Sequence, residues 1–181
     1  MRFRVADAPR DGDCLFWSVA RGWAWAVDLW NEKLSRETRT ERARDAARTL
    51  RELCVRHLVQ SAQSDAPLVR AALGLEPGLD HSEPLRIARG RRVAGKPSAH
   101  LALSGSEGDE TLEDYAGAMR RPGSWGGECE LYCLADLLEI QIAVYWDAEG
   151  RKVRRVYGPE GATRIYLRYT GDHYAALIPL T

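Results

Sequence analysis

A cysteine stands at an unusual junction in the stretch DGDCLFW, residues 11–17. A short acidic turn containing Gly12 comes directly before Cys14 and an apolar run follows it, so the pattern predicts a helix that begins at the cysteine. The positive end of a helix macrodipole favours a thiolate, which is the nucleophilic form of cysteine. Backbone N–H groups of such a turn are not used by helix bonds and can stabilise a developing oxyanion. The stretch therefore predicts nucleophilic catalysis by Cys14, with a buried, inert small side chain as the alternative.

A thiol nucleophile needs a base, and the sequence has four histidines. His57 lies on the apolar stripe of a predicted helix and is expected in the core or at its boundary. His81 and His100 fall in a segment rich in glycine and charge and are expected at the surface. His173 opens the last apolar strand, directly after Gly171 and Asp172, where a strand end offers a rigid and accessible position. We therefore expect His173 to be the base, although a cysteine and a histidine so far apart are a weak signal by themselves.

Hydrophobic periodicity predicts the elements that must position these residues. We expect a strand over Arg2–Ala6, a helix from Cys14 to about Trp30 with a break near Gly22, and a helix that starts at Thr38 in a capping box with Glu41. The predicted elements of the second half are helices over 111–119 and 128–139 and strands over 140–146, 152–157, 165–169 and 173–180. Helices followed by a run of hairpin-linked strands indicate an α+β fold with an antiparallel sheet. The arginines of the Thr38 helix alternate with acids and are expected on a solvated face.

Composition narrows the function classes. The 181 residues carry no formal net charge, which argues against nucleic acid or an anionic membrane as a partner. The N-terminus lacks the apolar run of a signal peptide, and the four cysteines indicate a reducing compartment. We therefore expect the protein in the cytoplasm, either of the cell that makes it or of a host cell, with the nucleus as an alternative. One domain over residues 1–181 is expected, and the loss of periodicity over 77–110 predicts a variable loop or a substrate-contacting arm.

Three blocks of the sequence resemble one known family. DGDCLFWSVA resembles the nucleophile motif of the ovarian-tumour (OTU) cysteine proteases. That motif reads Asp-Gly-(Asn/Asp)-Cys-Leu-Phe. The block YAGAMRRPGSWGGECELYCLADLLEIQIAVY is similar to the middle segment of that family, and TGDHYAAL is similar to its closing His-Tyr strand. The blocks come in family order at family spacing. The resemblance implies a papain-like α+β fold with a central, mainly antiparallel sheet packed between helices.

The resemblance also implies a function and a site. The expected activity is thiol-dependent hydrolysis after the C-terminal Gly-Gly of ubiquitin or a ubiquitin-like modifier, with Cys14 as nucleophile and His173 as general base. The expected partners are ubiquitin, polyubiquitin or a related modifier and their conjugates, and the protein is expected to act as a monomer without a cofactor. The expected oxyanion hole is the backbone of Asp11, Gly12, Asp13 and Cys14, and the expected substrate channel contains Trp125, Gly126, Gly127 and Tyr174. Cys129 and Cys133 have no second ligand pair at zinc-site spacing, so no metal is expected.

One position departs from the family pattern. Many OTU proteases carry Asp or Asn two residues after the histidine, on the same face of the strand, where that side chain holds the imidazole. This chain has Ala175 there, and Asp172 should point to the opposite face. Asp11 matches the acid beside the nucleophile and is the candidate for the third catalytic residue. Two alternatives stay open: a ubiquitin-binding module of the same fold that is catalytically weak, and a viral polyprotein-processing protease.

Overall fold

The computed structural model describes residues 2–27, 35–63, 112–148 and 151–180. The predicted arm at 77–110 lies outside the described residues. The elements in chain order are β1 Phe3–Asp7, α1 Cys14–Ala26, α2 Arg36–Gln63, α3 Leu112–Arg120, α4 Glu128–Leu137, β2 Gln141–Ala148, β3 Arg151–Tyr157, β4 Arg164–Tyr169 and β5 Tyr174–Pro179. The α+β class predicted from the sequence is confirmed.

A five-stranded sheet in the order β1-β5-β4-β2-β3 forms the centre of the fold. Its strand pairs are antiparallel except for β2 and β4, which run parallel, so the sheet is mainly antiparallel as predicted. The predicted run of hairpins is wrong at one point, because β4 does not pair with β3 but crosses to the other side of β2. This exchange places the buried Ile165 and Leu167 of β4 in the middle of the sheet and leaves β3, with its four basic residues, at an edge.

Helix α1 packs on β4 and β5 and differs from the prediction at its centre. It runs through Gly22 without a break. A Cβ on Gly22 would lie 3.3 Å from the Cβ of Ile165, so this glycine allows the helix to approach the sheet closely. The residue that suggested a helix break is therefore a packing residue.

Helix α2 begins earlier than predicted. The hydroxyl of Ser35 accepts a hydrogen bond from the Thr38 N–H at 3.1 Å, so Ser35 caps the helix and Thr38 lies in its first turn. The predicted apolar stripe is buried at Ala43, Ala47, Leu50, Cys54 and Leu58. Among the described residues, no helix combines the length and the apolar character needed to cross a membrane.

The solvent exposure of His57 and Arg51 tests two of the predictions made from the sequence. His57 is 23% exposed and bonds the Asp136 carboxylate at 2.7 Å, which makes it the boundary residue expected. The prediction that Arg51 lies on a solvated face of α2 is wrong, because this residue is only 3% exposed. It reaches from α2 to the turn that precedes Cys14.

Candidate active site

Cys14 is the first residue of α1, as the sequence predicts, and it is buried. The carbonyl of Asp13 accepts the first helical bond, from the Trp17 N–H at 2.9 Å. This bond directs the Cys14 N–H, on the other side of the same peptide, out of the helix N-terminus. The side chain of Asp13 makes no capping bond to the helix. The first turn of α1 therefore presents backbone donors beside the thiol.

The turn before Cys14 depends on two glycines that lie back to back. Gly12 has φ +85° and Gly123 has φ +85°, a region that other residues adopt only with strain. A Cβ on Gly12 would lie 1.9 Å from the carbonyl oxygen of Gly123, and a Cβ on Gly123 would lie 3.1 Å from the carbonyl oxygen of Asp11. The backbones of the nucleophile turn and of the turn after α3 can therefore approach each other this closely only because both positions are glycine.

We expect Gly12→Ala to damage both the fold and the site. The added methyl group strains the backbone and forces the two turns apart, so the free energy of unfolding should fall by more than about 2 kcal/mol. Gly161→Ala is the matched control, because Gly161 has φ +84° but no heavy atom within 4 Å of its Cβ position. It should cost only about 1–2 kcal/mol. Urea unfolding of both variants measures the difference, and equal losses would show that the turn contact carries no energy.

His173 directly precedes β5 and is buried. Strand β1 pairs with β5 so that Asp7 lies opposite Ala175. Residues 173 and 175 point to the same face of the sheet, so Asp7 comes beside the imidazole from the neighbouring strand. The Nε2 atom of His173 lies 2.9 Å from Oδ1 of Asp7. The carboxylate of Asp7 thus bonds the imidazole, although the residue two positions after His173 is Ala175, which has no hydrogen-bond acceptor in its side chain.

This arrangement corrects the assignment of Asp11 as the residue that orients His173. Asp11 accepts a hydrogen bond at Oδ1 from the Asp13 N–H, at 3.1 Å, and thereby stabilises the nucleophile turn. Asp172 faces Arg10 instead, with 3.9 Å between their charged atoms. The sequence signal for Asp7 was weak: it follows the predicted first strand, but nothing local indicates that this strand pairs with the last one.

The charge state of Asp7 fixes the tautomer of His173. The hydrogen bond and charge of His173 hold the pKa of the Asp7 carboxyl below its ordinary value near 3.8, against an opposing effect of burial. Asp7 is therefore ionised at neutral pH and can only accept a hydrogen bond. The proton of a neutral His173 consequently lies on Nε2, and Nδ1 carries the free lone pair.

The Cys14 sulfur lies next to the start of β5. Burial raises the pKa of the Cys14 thiol above its ordinary value, although hydrogen bonds from backbone N–H groups of Tyr174 and Leu15 oppose the shift. Asp11 raises this pKa further through its charge. The thiol is therefore protonated at neutral pH, and its use as a nucleophile requires a base. The residue that follows His173 in the chain, Tyr174, thus contacts the Cys14 sulfur through its backbone N–H.

The predicted channel residues form the turn that leads into α4. Trp125 is 41% exposed. Gly126 faces the core, since a Cβ there would lie 2.6 Å from Cδ2 of Leu15, the residue after the nucleophile. The Gly127 N–H donates to the buried Glu130 carboxylate at 2.6 Å. Gly126 is therefore required by packing against α1, and Trp125 is the side chain of this turn that is open to solvent.

Similar solved structures share this fold. An OTU deubiquitinase from Wolbachia pipientis wMel, solved bound to ubiquitin, is 16% identical, with a TM-score of 0.57 over 98% of this chain and 96% of that one. The OTU domain of OTUD1 is 18% identical, with a TM-score of 0.55 over 99% of this chain and 85% of that one. The Hazara virus OTU, also bound to ubiquitin, is 20% identical, with a TM-score of 0.52 over 99% of this chain and 82% of that one. No curated protein matches the chain by sequence.

The sequence comparison covers nearly the whole chain. The family described as OTU-like cysteine protease matches residues 9–174, a span that begins just before the nucleophile turn and ends just after His173. The match therefore includes both Cys14 and His173. The chain is a member of the OTU-like cysteine protease family.

Proposed function

We propose that the protein is a thiol-dependent deubiquitinase, which hydrolyses isopeptide or peptide bonds after the C-terminal Gly-Gly of ubiquitin or a ubiquitin-like modifier. The observation that carries the proposal is the position of His173, whose Nε2 bonds Asp7 while the next residue, Tyr174, contacts the Cys14 sulfur through its N–H. Family membership supports the thiol chemistry. The ubiquitin bound to the Wolbachia and Hazara virus proteins supports the substrate class.

The first half of the proposed reaction makes a thioester. Nδ1 of His173 takes the proton of Cys14 as the sulfur attacks the carbonyl carbon of the modifier's last glycine. The carbonyl oxygen becomes negative and accepts a hydrogen bond from the Cys14 N–H. The imidazolium, held by Asp7, then gives its proton to the leaving amine nitrogen, and the C–N bond breaks.

The second half releases the modifier. Water takes the place of the amine, and Nδ1 of His173 removes one of its protons as the oxygen attacks the thioester carbon. The C–S bond breaks, the sulfur of Cys14 recovers the proton from His173, and the modifier leaves as a carboxylic acid that loses its remaining proton to water. The same three side chains serve both halves, so no cofactor is included in the proposed mechanism.

The contact of Asp7 with His173 favours an enzyme over a binding module. A catalytically weak module was suggested by the missing acceptor at Ala175, and the Asp7 carboxylate supplies an acceptor from the neighbouring strand.

The proposed location is a reducing cytosol, where Cys14 stays a thiol, with the nucleus as an alternative.

Trp125 is proposed to contact the modifier tail. Its indole is exposed and sits on the turn that packs against the nucleophile helix, and an aromatic face suits a tail of glycines. We expect Trp125→Ala to raise KM for a fluorogenic ubiquitin substrate about 10-fold and to change kcat less than about threefold. Leu180→Ala, an exposed apolar residue at 52% exposure away from this turn, is the control and should leave both constants unchanged. Equal constants for Trp125→Ala and the native protein would remove Trp125 from the channel.

A cleavage panel tests the proposed function. Diubiquitins of all linkages and fusions of ubiquitin-like modifiers are incubated with the native protein, and the products are separated by gel electrophoresis. We expect release of free modifier from at least one linkage or fusion. Cleavage of no member, together with measurable ubiquitin binding, would instead support the binding module.

A further inference from the structure

Arg51 joins three segments of the chain around the nucleophile turn. Its guanidinium donates to Oδ1 of Asp13, at 2.9 Å from Nε, and to the carbonyl of Gly12, at 3.3 Å from Nη2. Further bonds reach the carbonyl of Met119 at 2.8 Å and that of Ser124 at 2.7 Å. A buried guanidinium with this many acceptors has one geometry, which its planar fork imposes on all of them.

The contacts of Arg51 and Asp11 fall on the two sides of one peptide. In a trans peptide the carbonyl and the N–H point in opposite directions. The carbonyl of the Gly12–Asp13 peptide faces Arg51, and its N–H donates to the carboxylate of Asp11. The two side chains therefore hold this peptide from opposite sides and prevent it from rotating.

Arg51 also determines what Asp13 does. An aspartate at the N-cap ordinarily accepts a hydrogen bond from the first turn of its own helix. The carboxylate of Asp13 is turned to Arg51 and makes no capping bond. The Asp13 side chain consequently does not occupy the N–H groups of the first turn of α1, and the charge of the acid next to Cys14 is neutralised by Arg51.

We propose that Arg51 and Asp11 are positioning residues that hold the Gly12–Asp13 peptide and thereby set the oxyanion donor at Cys14. This inference rests on the proposed function, since an oxyanion forms only if the site hydrolyses an acyl bond. It gives Arg51 a role in the transition state beyond the packing of α2. It also gives Asp11 a role that does not involve His173.

The first test is Arg51→Lys, which keeps the positive charge but loses the fork. We expect kcat for a fluorogenic ubiquitin substrate to fall on the order of 30- to 100-fold, because an oxyanion donor is misplaced, with KM changed less than about fivefold. Alkylation of Cys14 by iodoacetamide at pH 7 does not use an oxyanion hole and should stay within about threefold of the native rate. A merely structural role would lower both rates together, in proportion to the folded fraction.

The second test uses Asp11→Ala. The side chain of Asp11 is exposed, so we expect this variant to fold. We expect kcat to fall about 10-fold, because the Gly12–Asp13 peptide is released on one side. Asp11, Tyr169 and Tyr174 interact electrostatically with Cys14, and His173 precedes Tyr174 in the chain. Removing the negative charge of Asp11 should make Cys14 alkylation slightly faster, by up to about twofold. Slower hydrolysis with faster alkylation is a combination that loss of structure does not produce.

The outcomes separate the two proposals. A native protein that alkylates at Cys14 but hydrolyses no ubiquitin substrate would overturn the proposed function and this inference with it. An active native protein with a normal kcat in both Arg51→Lys and Asp11→Ala would overturn the inference alone. If Arg51→Lys fails to fold, Asp11→Ala decides, and an unchanged kcat in that variant would count against the inference.

Discussion

Replacing Cys14 by alanine is expected to reduce ubiquitin hydrolysis to the background rate while ubiquitin binding changes less than about threefold. The reaction as derived has no path around the sulfur, because the thioester forms on it. Binding should persist because Cys14 is buried and contributes little surface to a bound modifier. Fluorogenic turnover measures the first quantity, and fluorescence polarisation with labelled ubiquitin measures the second.

Cys129 offers a matched control for this variant. It is 7% exposed, as is Cys14, and it also lies in the first turn of a helix. Burial raises its pKa, and its side chain is hydrogen-bonded with Tyr115. Cys129→Ala should therefore retain turnover within about threefold of the native rate. Turnover above trace level in Cys14→Ala would remove Cys14 as the nucleophile, and loss of turnover in Cys129→Ala at native stability would show that the effect is not specific to Cys14.

The second large effect is expected at Asp7, where alanine frees the imidazole of His173 to rotate and to take the wrong tautomer. Loss of an orienting acid lowers kcat by up to about 10⁴-fold in a serine hydrolase, and we expect about 10- to 100-fold here because a thiol needs less activation. Asp7 is 70% exposed at its side chain, so stability should change little. Steady-state kinetics and thermal unfolding measure the two quantities.

The register of β1 and β5 supplies a rescue. Ala175 lies opposite Asp7 and on the same face as His173, so Ala175→Asn in the Asp7→Ala background would restore an acceptor from the other strand. We expect it to recover at least about a third of the lost activity on a logarithmic scale. Asp172→Asn is the control for charge alone and should stay within about twofold. A harmless Asp7→Ala, or a double variant no faster than Asp7→Ala, would show that another group holds His173.

Local pattern was enough to predict that a helix begins at Cys14 but not which residues surround the thiol. The start of α1 at Cys14 follows from a glycine turn that meets an apolar run, and β5 follows from the apolar stretch after Gly171. The partner of His173 could not be predicted in this way. Asp7 reaches it only because the first strand pairs with the last, and pairing over such a distance leaves no signal in the residues next to Asp7.

Arg51 shows a different limit of the sequence. It stands four residues after Ala47 and four before Val55, both buried, so helical spacing placed it on the core side of α2. Its charge indicated the solvated face instead. A buried arginine needs several acceptors at once, and these come from turns that are 39 and 73 residues away along the chain. Only the folded structure shows that the acceptors meet there.

The most direct test of the account uses ubiquitin that carries an electrophile in place of its C-terminal carboxylate. The probe is incubated with the native protein, and the product is examined by intact-mass and peptide mass spectrometry. We predict an adduct of one ubiquitin on Cys14, which is absent in Cys14→Ala and forms more slowly in Asp7→Ala. Binding of ubiquitin without an adduct, or an adduct on Cys129 in place of Cys14, would contradict the assignment of Cys14 and His173 as the catalytic pair.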